Sequence, residues 1–292
     1  MRIAVALLGL TVVGCATDER EEATGEVTSA VVVNNRLAAN RLAANRLAAN
    51  RLAANRLAAN RLAANKLELN NVGANELLAT EEGREVLGFI VSCAIKEGQT
   101  LIAEFDGNTY EFFGEIGLAN RWLDHPIDDE GAGWVSACLF ARVNASNVPI
   151  PISLRGKHKQ LEASQEEKAG WTLQEGGFYG NFFTEDDEPI DWNACTGSDQ
   201  AAGETGGLLE RDCAEPDGNT GLTKCGFKYT GNCGAFAAPG KFACKKFDSN
   251  GTFYERCASE PGFEQKPNGN IRWTLEGNDD FYRQVITVYL QP

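Results

Sequence analysis

The chain has 292 residues, 43% hydrophobic and 23% charged, with a net charge of −14. Residues 35–69 carry +6 and residues 1–34 carry −3, which leaves −17 for residues 70–292. An acidic globular part argues against nucleic acid as the main partner, since phosphate binding rests on Lys and Arg.

Arg2 precedes an apolar run over residues 3–13, interrupted only by Gly9 and Thr11, and Val12-Val13-Gly14-Cys15 follows. A positive start, a short apolar segment and a small residue at the cut are the marks of an export signal. Eleven residues are too few for a spanning helix, which needs about 20. The segment resembles the lipobox of bacterial lipoproteins. That resemblance implies a signal peptide over residues 1–14, lipid such as palmitate on Cys15, and membrane attachment in the bacterial cell envelope, at the outer membrane or cell surface. The plain alternative is a secretory signal followed by a chance cysteine. Residues 15–34 read as an acidic tether.

Nine cysteines are present, an odd number. Setting Cys15 aside leaves Cys93, Cys138, Cys195, Cys213, Cys225, Cys233, Cys244 and Cys257, an even set that reads as four disulfides in an oxidising compartment. A zinc site is the rival, but it favours close C-x₂₋₄-C pairs with histidines. The nearest pair here is Cys225 and Cys233, and the only histidines are His125 and His158. No metal and no cofactor are expected.

Asn-Arg-Leu-Ala-Ala occurs six times over residues 35–64, and weaker copies extend the period to residue 79. Across the copies Asn persists and the third position stays aliphatic, so these two read as structural and Arg reads as surface. A five-residue step turns about 500° on a helix, which sets successive leucines about 140° apart and forms no leucine stripe. In a strand an odd period throws them to opposite faces. A five-residue period with central Leu resembles the pentapeptide-repeat solenoids, although Arg intervenes between Asn and Leu. Two expectations follow for a stalk over residues 35–79: a short solenoid propped on the globular domain, or a mostly disordered segment. Recent tandem duplication explains the identical copies without any function. The repeat arginines, Arg36 to Arg61, are candidates for contact with anionic lipid or glycolipid. A solvated face, or an internal contact with the acidic domain, is the simpler reading.

Residues 80–292 form the expected globular domain, α+β with a substantial antiparallel sheet. Thr80 predicts a helix N-cap, with Glu81 and Glu82 in the first turn, then Leu87, Ile90, Val91 and Ala94 at helical spacing. Gly98 predicts the stop. A second helix is expected over about residues 133–143. Each helix carries a cysteine among apolar residues, so Cys93–Cys138 is the first expected pairing; two buried free thiols are the alternative. Asp106-Gly107-Asn108 between apolar runs predicts a hairpin. Further strands are expected at residues 148–154, 177–183, 270–275 and 284–290. Residues 195–257, rich in cysteine and glycine, read as a loop-rich lobe held by disulfides.

The sequence contains no G-x-S-x-G, H-E-x-x-H, Walker loop or G-x-G-x-x-G motif. His125, beside Asp124, is a weak candidate for a general base. His158 lies among Arg155, Lys157 and Lys159 and reads as a solvated basic turn. Glu185, Asp186, Asp187, Glu188 and Asp191 form the densest carboxylate cluster, a pattern compatible with glycoside hydrolysis but expected anyway in so acidic a domain. Asp248-Ser249-Asn250-Gly251 starts like a calcium loop yet lacks the spacing and final Glu of an EF-hand. The aromatics of residues 177–183, with Trp171 and Trp192, suit either a glycan-binding face or a buried strand.

The lipobox, the Asn-x-Leu pentads, the Trp-Val-Ser-Ala-Cys-Leu helix (Trp134 to Leu139) and the cysteine-rich tail together resemble a group of uncharacterised bacterial surface lipoproteins. The resemblance covers most of the chain and implies no activity and no functional residues. The expectation is a non-enzymatic ligand-binding or adhesive envelope lipoprotein. An extracellular hydrolase acting on glycan or peptide is the alternative.

Overall fold

The computed structural model describes residues 32–34, 44–144, 150–184, 191–199, 211, 213, 222–223, 225–234, 241–246, 253–268, 270–274 and 281–292. Cys15, residues 1–31 and residues 35–43 of the repeat lie outside the described residues, as do the acidic run 185–188 and the calcium-like stretch 248–251.

The repeat supplies the first helix, α1 (Ala44–Ala63), where the sequence reading expected neither helix nor strand. The reason lies in the alanines. Leu52, Asn55, Arg56, Ala58, Ala59, Leu62 and Ala63 are buried, a 3-1-2-1-3-1 spacing that keeps one helical face. Leucine alone cannot line that face. Three of every five residues are apolar, however, so whichever position rotates inward is apolar more often than not. Small residues also admit close neighbours. At Gly73 an added Cβ would stand 2.4 Å from Leu62 N and 2.5 Å from Ala58 O. The following helix, α2 (Val72–Leu78), therefore crosses α1 nearly backbone to backbone. Arg56, expected at the surface, is also buried and donates to Thr184 Oγ1 at 2.8 Å. Arg61 is ion-paired with Glu76. Leu67, Leu69, Leu77 and Leu78 join the same core as the residues after 80. Part of the expected stalk is thus built into the domain.

The third helix, α3 (Glu81–Ala94), starts where its cap predicts: Thr80 Oγ1 accepts from Gly83 N at 2.9 Å. The fourth, α4 (Asp129–Ala141), begins earlier than expected because Asp128 caps it, accepting from Gly131 N at 2.8 Å. These two helices pack together, and Cys93 and Cys138 are bonded between them, the pairing expected from their sequences.

The hairpin forms from β2 (Thr100–Phe105) and β3 (Asn108–Phe113). Its two-residue turn has φ of 48° at Asp106 and 75° at Gly107, the left-handed pair that a tight hairpin requires.

A six-stranded sheet forms the centre, in the order β1 (Val32–Asn34), β4 (Pro151–Arg155), β13 (Ile286–Leu290), β5 (Leu173–Asn181), β6 (Asp191–Thr196) and β7 (Lys228–Asn232). All neighbours are antiparallel except β6 and β7. The architecture is α+β with antiparallel sheets, as expected. Phe178, Ala194, Ile286 and Val288 contribute to the core shared with the helices. Tyr179, Cys195 and Val285 contribute to a second, smaller core. That core also contains side chains from β9 (Cys244–Lys246) and β10 (Tyr254–Cys257). Nearby, β8 (Lys241–Phe242), β11 (Phe263–Gln265) and β12 (Ile271–Trp273) form a small separate sheet. The remaining disulfides are Cys195–Cys233, Cys213–Cys225 and Cys244–Cys257.

Arg211 is wholly buried. Its guanidinium meets both oxygens of buried Glu175, at 2.7 and 2.5 Å, and donates to the carbonyls of Ala141 and Val143 at the end of α4, each at 2.8 Å. A fixed cation there also suits the negative end of the helix dipole.

Candidate functional site

A cleft of about 510 Å³ opens where the segment after the hairpin meets the start of α4. Its floor is built from the inside outward. Leu118 N and Ala119 N bond the carbonyls of Cys93 and Ala94, which fixes this segment across the end of α3. A single 3₁₀ turn, Asn120–Leu123, then buries Trp122. The Trp122 indole donates to Asn65 O at 2.8 Å, and Leu67 N donates back to Trp122 O at 2.7 Å. The loop after α1 therefore holds the cleft floor in place. Trp122 meets Phe183 edge to face at 5.6 Å.

The rim carries the polar groups: Arg121, His125, Asp128, Glu130 and His158. His125 is exposed on the turn after the 3₁₀ helix. Asp128 is already engaged as the cap of α4. His158, expected in a solvated turn, is instead half-buried against Trp134, with ring centres 5.3 Å apart. Its Nδ1 accepts from Gln160 N at 3.2 Å, so the neutral ring carries its proton on Nε2. Burial lowers the His158 pKa, and the nearby Glu130 carboxylate opposes that in part. In its neutral form His158 is therefore a hydrogen-bond donor and not a base at Nε2. The cleft thus unites the chain's two histidines, 33 positions apart, with no local pattern to announce it.

Among the described residues lining the cleft there is no hydroxyl, thiol or amine side chain to act as a nucleophile. Its polar groups are donors and acceptors of both charge signs around an apolar floor, the pattern of a pocket that orients a polar ligand.

Elsewhere the sequence candidates take structural roles. Phe178, Tyr179, Phe182 and Trp192 are fully buried, so this aromatic run is a core strand and not a glycan platform. Tyr179 donates to Ala258 O, and its burial raises the phenol pKa. Asp191 accepts from Asn193 and from Tyr282 Oη, the latter at 2.5 Å. A scan of protein-family models finds no match to this chain, and searches of curated proteins and of solved structures likewise find none.

Proposed function

We propose that the chain is a membrane-anchored cell-envelope lipoprotein whose disulfide-stabilised domain binds a ligand, without catalysis, in the cleft at the start of α4. Two observations support the anchor. Eight cysteines pair among themselves, as suits an oxidising compartment. The ninth is the one that follows the apolar leader. Among the described residues no helix is long and apolar enough to cross a membrane. The observation that carries the binding reading is the cleft itself, with Arg121, His125, Glu130 and the His158 Nε2 around a tryptophan-backed floor.

A polar ligand with both hydroxyl and acidic groups, such as an acidic glycan, fits that set: Arg121 and His158 donate, and Glu130 accepts. Glycan-array binding of the disulfide-intact chain tests it. His158→Ala and Arg121→Ala should each weaken retention of the best glycan at least about tenfold, the loss of about 1.4 kcal/mol expected for one good hydrogen bond to a charged group. Equal binding by both variants would remove the cleft from the account.

The hydrolase reading retains one specific support: the cleft holds His125 with two carboxylates, Asp128 and Glu130. It requires turnover of an arrayed glycan or peptide, abolished in His125→Asn and Glu130→Gln.

A further inference from the structure

Two of the four disulfides lie side by side in the smaller core. Cys195 Sγ is 3.4 Å from Cys244 Sγ, and the sulfurs of Cys195, Cys233 and Cys244 all lie within 4.8 Å of one another. The fourth, Cys257, is bonded to Cys244 and is its cross-strand partner in the β9–β10 ribbon. All four side chains are wholly buried. Two independent disulfides do not require such proximity, because each bond satisfies only its own pair. Among the described residues Cys195, Cys233 and Cys244 are the one group of three or more metal-capable side chains whose ligand atoms are mutually close.

The spacing suits a tetrahedral thiolate site. Zinc holds sulfur at about 2.3 Å, which sets neighbouring sulfurs roughly 3.8 Å apart. The contact between the two bonds is already near that distance. Both bonds must open, and Cys257, which lies outside the group of three mutually close sulfurs, must swing in on β10 to complete the tetrahedron. Gly177 faces the cluster from β5 and leaves space there: a Cβ would stand 3.1 Å from Cys195 Sγ and 3.3 Å from Cys233 Sγ.

We propose that Cys195, Cys233, Cys244 and Cys257, once reduced, form a buried zinc-thiolate site, so that this lobe can be closed by two disulfides or by one metal ion. A dithiol reduces each disulfide: two electrons and two protons pass to the cysteines, and the dithiol becomes a disulfide. The four thiols then bind Zn²⁺ as thiolates and release four protons. The site would serve the chain before oxidation and is independent of the cleft.

The test uses the full chain carrying Cys15→Ser, reduced with a water-soluble phosphine, which becomes the phosphine oxide. Titration with Co²⁺ should give the thiolate-to-cobalt charge-transfer band and visible bands of a tetrahedral site at one ion per chain, displaced by Zn²⁺. Cys195→Ala/Cys244→Ala should lose the bands, whereas Cys93→Ala/Cys138→Ala should keep them. A second measurement needs no cysteine variant within the cluster. With Zn²⁺ present, alkylation followed by peptide mapping should find Cys195, Cys233, Cys244 and Cys257 protected together, and the other four cysteines modified. Absence of the cobalt bands in the reduced chain, equal bands in the Cys195/Cys244 variant, or protection of any other set overturns the proposal.

Discussion

On one side of the central sheet, α4 packs on β5 and β13, and Phe178, Ala194, Ile286 and Val288 share one core with side chains of α1, α3 and α4. On the other, Tyr179, Cys195 and Val285 meet short strands, and four of the eight buried members of that core are cysteines. The first side has enough long helix to bury its apolar surface. The second is made of strands of two to four residues, which bury little on their own. Where the chain cannot supply a deep core, cross-links shorten the unfolded ensemble instead, each typically contributing about 2–4 kcal/mol. Each core holds two disulfides, but on the helical side they sit among many apolar side chains, whereas on the other side their cysteines make up half of the buried members.

Four measurements probe that contrast, from the largest expected effect to the smallest. Arg211 ties β5, through Glu175, to the end of α4. Arg211→Ala should cost about 3–5 kcal/mol in denaturant unfolding, because it strands the Glu175 carboxylate without water. Arg211→Met with Glu175→Leu should recover most of that loss. Leu62→Ala should cost about 2–5 kcal/mol if α1 belongs to the helical core; a shift under about 0.5 kcal/mol would mean that the repeat stands apart from it.

The repeat arginines divide the same way. Arg56→Gln should destabilise by about 1–3 kcal/mol through its buried bond to Thr184. Arg61→Gln, breaking a largely exposed pair, should cost under about 1 kcal/mol. Equal effects would blur the boundary between docked helix and solvent face. The smallest effect concerns pH. His158 has a folded pKa below its unfolded one, so the folded chain favours the neutral ring. That contribution is complete above the unfolded value, near 6.5, and is lost as pH falls through the lowered folded value. His158→Gln should remove this acid-side loss from a stability–pH profile. An unchanged profile would show that the half-buried ring does not feel its surroundings.

What the sequence disclosed follows the range of the forces involved. The start of α3 was readable because Thr80 and Gly83 lie three residues apart, and the hairpin because Asp106-Gly107 acts within its own turn. Cys93–Cys138 was readable because both apolar helices advertise a buried face. Leucine spacing alone does not reveal the helix in the repeat, because buried alanines make up much of its inward face. Asp128 was passed over as a cap, which displaced the start of α4. The place of His158 was hidden altogether: only the chain's path through β4 (Pro151–Arg155) brings it to Trp134. The burial of Arg211 depends on Glu175, 36 residues away, and no local pattern marks it.

The docked end of α1 also bears on how the gene can change. The six perfect copies are interchangeable, so a copy gained or lost anywhere within them gives the same sequence as a change at the amino-terminal end of the tract. Counted back from Ala63, the face that meets α2 keeps its residues in every such variant. Gain of copies, or loss of one, therefore alters only the length of chain between β1 and the docked helix. Added copies lengthen a loop between two docked elements and leave the core unaltered.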